Sequence, residues 1–317
     1  MEKLIKAENK KGQKMRKGGD GSLEKVINKI FNKRVLFVLK IAITLIILWL
    51  IFRKIDLKEV YATAIQLKVN LLVLLIIISL VKFMTQLKNW ECCLRITTNY
   101  QPPRYEILKS HLIGQALRFI IPGGHAAFGK VYFVSNKKRS TLFSIGIERF
   151  MQTWTNLWFA SWAGLFYFRQ YSLWLRWSMV LIITLIPVIL YWSSRILKRG
   201  DWKEFFNQYI RIVPSITIRQ LLFVFLTVLQ YLLIINRYQS LKFIIGLISV
   251  PLILVANIIP ITYAGLGLRE TFAIHVFKDF NIQPEVAVTA SLIIFFINSV
   301  LPAMIGAVLM ITEKRKS

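Results

Sequence analysis

Arg118, His125 and Lys130 are cations set around Pro122-Gly123-Gly124. The Pro lacks an N–H donor, and the Gly pair lets the backbone turn sharply and present its own N–H groups. Such a nest with cations nearby suits a phosphate. A second reading stands beside it: a cytoplasmic loop whose basic residues only meet the lipid surface. Glu148 and Arg149 lie inside an apolar run. Ionisable groups in a bilayer cost about 2.5–3.5 kcal/mol each, so they are usually paired or face a cavity. Sequence neighbours on a helix point about 100° apart, so these two need not pair with each other. They form either one pole of a substrate cavity or an interfacial pair that stabilises the fold. Arg269 and Glu270 directly follow Gly265-Leu266-Gly267-Leu268. The helix dipole favours Glu in a first turn but not Arg, so Arg269 calls for a carboxylate or phosphate partner. His275, further along, reads as structural.

No catalytic constellation accompanies these charges. There is no metal-ligand spacing, nucleotide-binding loop or nucleophile elbow, and the chain has three His in all. The two cysteines, Cys92 and Cys93, are adjacent, which suits neither a bridge nor a metal. The expectation is a protein without enzymatic activity, cofactor or metal.

The charges must be held by elements that interrupt helices. Ile120-Ile121-Pro122-Gly123-Gly124-His125-Ala126-Ala127-Phe128-Gly129 can be laid over Ile258-Ile259-Pro260-Ile261-Thr262-Tyr263-Ala264-Gly265-Leu266-Gly267. Both read Ile-Ile-Pro, then Ala four residues after the Pro and Gly seven after it. Each closes an apolar segment where Pro and Gly should break a helix. Broken helices at matching places in two halves point to a carrier's binding site.

The chain is 56% hydrophobic, with mean hydropathy +0.54, and its apolar residues come in span-length blocks. These predict an all-α polytopic membrane protein. Six full spans are expected, at about 35–52, 69–87, 141–168, 174–192, 218–235 and 286–311. Lys82 and Lys88 fall near the far end of the second. Regions 107–134 and 241–277 read as re-entrant helical hairpins meeting at the Ile-Ile-Pro breaks. The two Pro lie 138 positions apart (260 − 122). That offset carries the first span to about 173, near the fourth, and the third to about 279, near the last. It carries the second to 207, short of the fifth at 218. The chain thus divides into a basic tail at 1–34, a transmembrane domain at 35–311 with repeats at about 35–168 and 174–311, and a basic tail at 312–317.

Three spans per repeat would set the second repeat upside down relative to the first. Both basic termini, Lys137, Lys138 and the 195–211 loop would then be cytoplasmic, in the cell membrane. The formal net charge of +27 follows from that rule, or serves attraction to anionic lipid headgroups. No nucleic-acid module is visible. Anionic membrane lipids are the expected partners, and a homo-oligomer is compatible with this reading.

Arg118-Phe119-Ile120-Ile121-Pro122-Gly123-Gly124, Glu148-Arg149 and Pro260-Ile261-Thr262-Tyr263-Ala264-Gly265-Leu266-Gly267-Leu268-Arg269-Glu270 together resemble the flippase-like transmembrane region of lysylphosphatidylglycerol synthases. The last stretch is similar to that family's Gly-Leu-Gly-(apolar)-Arg-Glu signature. Where the family often has an acid or Arg after the Pro-Gly-Gly turn, this chain has His125 and Lys130. Full synthases add a soluble aminoacyl-transferase domain, so this chain resembles a stand-alone membrane member. The resemblance implies lipid translocation between leaflets. Substrate contacts would then come from Arg118, Pro122, Gly123, Gly124, His125, Lys130, Glu148, Arg149, Gly265, Gly267, Arg269 and Glu270. A membrane-embedded transferase, or an accessory subunit acting on lipid-linked sugars, is the alternative.

Overall fold

The computed structural model describes residues 62, 65–96, 100–120, 124–196, 200–259, 262 and 265–312. The basic tail 1–34, the expected first span 35–52, Pro122, Gly123, Pro260 and the final residues 313–317 lie outside them. Nine α-helices and no strand occur among the described residues. This is an all-α membrane protein.

In chain order, α1 is Val69–Leu94 and α2 is Arg104–Ile120. A 3₁₀ helix follows at Gly124–Phe133, then α3 at Lys138–Tyr167. Next come α4 at Leu173–Ile196 and α5 at Gly200–Ile235. The second interrupted element is α6 at Phe243–Leu254, a 3₁₀ turn at Val255–Asn257, and α7 at Leu268–Lys278. Last are α8 at Pro284–Phe295, a π turn at Phe296–Val300, and α9 at Leu301–Thr312. The π turn has a local cause. Pro302 has no N–H and its ring crowds the carbonyl of Asn298, so the ladder widens just before it.

Four helical stretches are long and apolar enough to cross a bilayer: α1, Leu173–Trp192 of α4, Gln208–Ile235 of α5, and Pro284–Met310 across α8 and α9. The surface agrees. On α1, Val73, Leu74, Ile76, Ile77, Leu80, Val81 and Met84 are exposed, whereas Ser79, Lys82, Thr85 and Asn89 are buried. A helix that is oily outside and polar inside needs lipid around it.

Three expectations change. The third span is expected at 141–168; α3 occupies that place with 30 residues, but Arg139, Glu148 and Arg149 make it more polar than a simple span. The 195–211 segment is helical up to Ile196 and again from Gly200, not a long loop. Tyr209 and Ile216, seven residues apart, are both buried on one face of α5. The apolar part of α5 therefore starts N-terminal to the expected 218. Lys82 is no end-of-span residue either, because α1 runs on to Leu94 and places it mid-helix.

Contacts between helices repeat with the two halves exchanged. α2 packs on α9, and α6 packs on α3, so each interrupted helix lies against the other half's last element. α1 packs on α5, its counterpart. Within halves, α1 meets α3 as α5 meets α8, and α2 meets its 3₁₀ arm as α6 meets α7.

Candidate functional site at the two helix breaks

At the first break, α2 ends in Arg118, a cation at the helix end where the dipole favours one. Arg118 is exposed and its guanidinium donates to Gln115 Oε1 at 3.2 Å. Gly124 and His125 open the 3₁₀ helix that returns along α2. Lys130, in its last turn, is buried and donates to Glu148 Oε2 of α3 at 2.7 Å. Its ammonium also lies 4.2 Å from the Trp90 ring centre. Trp90 is fixed in turn by its indole N–H, which donates to Ser110 Oγ at 2.8 Å. Gly114 makes room for this lysine: a Cβ there would stand 2.4 Å from Lys130 Cε. Glu148 therefore pairs across elements and not with its neighbour. Arg149 donates to Gln152 Oε1 at 3.3 Å, and its buried Nε has no protein partner.

At the second break, Gly265 and Gly267 have φ of 80° and 83°, a region that favours glycine. Gly267 caps α7, and its N–H donates to Glu270 Oε2 at 2.7 Å. The other carboxylate oxygen of Glu270 accepts from Arg269 Nη2 at 2.6 Å and from Ser291 Oγ at 2.9 Å. Arg269 Nε donates to Ser291 Oγ at 2.9 Å. Arg269 and Glu270 are 6% and 1% exposed, so this triad is sealed inside the protein. The partner that Arg269 calls for is thus the adjacent carboxylate. His275 is exposed, with Nδ1 2.8 Å from the Thr271 carbonyl.

One ring links the two breaks. The Arg269 guanidinium lies 4.6 Å from the centre of Phe295, and Phe119, next to Arg118, lies 5.8 Å from it. Two sets of amides line the seam between α1 and α5. Gln152 donates to Gln86 Oε1 and Gln86 to Gln220 Oε1, both at 3.1 Å. Further along the α1–α5 seam, Lys82 donates to Gln230 Oε1 at 2.8 Å, and Asn298 of the π turn donates to the same oxygen at 2.8 Å. At the other end, Arg219 donates to Asn89 Oδ1 at 2.6 Å. This seam has no sequence signature, because Gln and Asn scattered through apolar runs form no motif. Their spacing on α1, at 82, 86 and 89, is nevertheless that of one helix face. His111, in the first interrupted region, is buried and edge-on to Phe83 at 5.3 Å, and neither ring nitrogen has a partner among the described residues.

Chemically, each break offers a buried cation held by one acid, with cations or orphaned donors close by. A phosphate oxygen can replace the carboxylate in either pair with little change of geometry. The model of the lysylphosphatidylglycerol synthase TM region matches residues 37–306. A UPF0104 membrane protein of Methanocaldococcus jannaschii is 30% identical over 101 residues, covering 29% of this chain and 30% of that protein. The chain therefore spans less than a third of that relative in the match. Two matched breaks, an Arg-Glu pair behind paired glycines and a family match over most of the length converge: this chain is a multi-pass membrane protein that belongs to the lysylphosphatidylglycerol synthase TM region family.

Proposed function

We propose that this protein is a lipid flippase that carries an anionic or phosphate-bearing lipid between membrane leaflets without a chemical step. The lipid headgroup would enter between the two helix breaks while its acyl chains stay in the bilayer. Arg118, His125, Lys130 and Arg149 receive it from one half, and Arg269 and Glu270 from the other. The exchange-symmetric packing of helices supports an inverted repeat, with both basic termini cytoplasmic and the two breaks meeting near mid-membrane. The family match supports a lipid as cargo. The observation that carries the reading is a buried cation–acid pair at each of two matched breaks, with Phe119 and Phe295 bridging them. Glu270 is the group on which protonation would release Arg269 to a phosphate. Transport then follows the lipid's own gradient or a proton gradient.

The test is movement of fluorescent phosphatidylglycerol in liposomes holding the purified chain, read by quenching from outside. The chain is expected to expose inner-leaflet label to the quencher, and Arg269→Ala and Arg118→Ala to suppress this in folded protein. Unchanged movement in both variants would remove these residues from the site. No movement in any form would end the flippase reading.

A further inference from the structure

Lys82 is a buried cation that pairs with no acid among the described residues. Among the described residues the buried cations Lys82, Lys130 and Arg269 face two buried carboxylates, Glu148 and Glu270. Glu148 holds Lys130, and Glu270 holds Arg269. Lys82 is 2% exposed and receives only neutral partners: Gln230 Oε1 at 2.8 Å and the face of Phe223, 4.6 Å from the ring centre. An ammonium has three donors, and here one has an acceptor. Gln230 Oε1 is already shared with Asn298, and Gln230 Nε2 is engaged by the Leu75 carbonyl at 3.3 Å, so the amide cannot turn to offer more. Arg269 acts on Lys82 as a like charge and repels it. Tyr231, adjacent to Gln230, packs on Phe277 near the C-terminal end of α7 at 5.8 Å, so the α5 segment that holds the lysine also packs on the helix that carries Arg269. Burying an unpaired cation is costly and is tolerated where an anion comes to meet it.

We infer that Lys82, with Gln230 and Asn298 of the π turn, is the seat for a phosphodiester monoanion, and that the protein selects headgroups of net negative charge. Lys82, Arg269 and Glu270 together carry one net positive charge, which a phosphodiester balances. A headgroup with its own ammonium needs a further free carboxylate, and both buried acids are engaged. The inference deepens the site proposed above and rests on that reading for the lipid nature of the cargo. The shared chemistry is a singly charged phosphate ester; free phosphate is its other source.

Binding is measured on the full-length protein in detergent, by thermal stabilisation with added phosphatidylglycerol, phosphatidylcholine or inorganic phosphate. Phosphatidylglycerol is expected to stabilise it and phosphatidylcholine not. Lys82→Met should weaken phosphatidylglycerol binding about tenfold or more, as loss of a charged hydrogen bond implies. Lys82→Arg should retain most of it. Without lipid, Lys82→Met should melt no lower than the parent, because an uncompensated charge has gone. A lower melting temperature in that variant would make Lys82 a structural group and overturn the proposal. So would equal stabilisation by both lipids, or phosphatidylglycerol binding that ignores Lys82. Lys82-dependent stabilisation by inorganic phosphate alone would keep the anion seat and make free phosphate its ligand. Lys82-dependent lipid binding with no lipid movement in liposomes would leave this seat standing and remove the flippase reading instead.

Discussion

At the residue scale the two buried ion pairs are held differently. Lys130 and Glu148 come from separate elements, 18 positions apart, and meet through one hydrogen bond and a Trp face. Arg269 and Glu270 are neighbours bound into a triad with Ser291 and a glycine N–H. Removing one member of a buried pair strands the other, at a cost of about 3–5 kcal/mol, whereas replacing both with apolar groups is often near neutral. Lys130→Met alone is expected to lose stability on that scale, and Lys130→Met with Glu148→Leu to recover most of it. Denaturant melts of Lys130→Met, Glu148→Leu and the double variant decide this; a loss in the double variant equal to the sum of the two single losses would mean that the pair is not coupled. The sequence made Arg269 and Glu270 legible because the pair and its capping glycine are local; Ser291, on α8, was not. It marked Glu148 as a costly charge in an apolar run and Lys130 as a cation beside the turn, but no local signal joins residues that meet only through tertiary packing. Lys82 reads as an end-of-span residue because its depth depends on where α1 ends.

At the element scale, α2 and α9 approach so closely that one glycine decides the contact. A Cβ on Gly306 would stand 2.0 Å from the Leu112 carbonyl oxygen of α2, a backbone atom that cannot swing aside. Gly146 on α3 has nothing within 4 Å of the same added atom. Gly306→Ala is therefore expected to destabilise by about 1–3 kcal/mol, the usual cost of overpacking. Gly146→Ala should be neutral or add up to about 1 kcal/mol through helix propensity. Thermal melts of the two alanine variants side by side check the contact; equal melting temperatures would contradict it. Helix interruptions were legible as elements, since Pro with paired glycines has few other outcomes in an apolar segment. The start of α5 was not: Lys203 and Arg211 lower the average hydropathy there, while Tyr209 and Ile216 still supply a buried stripe.

At the scale of the whole molecule, the exchange-symmetric contacts and the 138-residue offset support one architecture: two halves, each a long helix, an interrupted helix and a second long element. If the halves are inverted, equivalent connections open on opposite sides of the membrane. Ser135, before α3, and Gln283, before α8, occupy such equivalent places and are both exposed. With Cys92 and Cys93 replaced by Ala, Ser135→Cys should label only after the membrane is permeabilised, and Gln283→Cys in intact cells. Labelling of both from one side would rule out the inversion. The expectation of a repeat comes from two similar Ile-Ile-Pro stretches; the packing of each broken helix on the other segment's last element has no such signal, since it follows from tertiary contacts alone. The most direct test of the shared site uses phosphatidylglycerol with a photoreactive headgroup, cross-linked to the protein in liposomes. The account predicts labelled peptides from both breaks, around Lys130 and around Arg269, with labelling lowered by excess unlabelled phosphatidylglycerol. Labelling confined to one break, or only to the lipid-facing side of α1 at Ile76–Leu80, would contradict it.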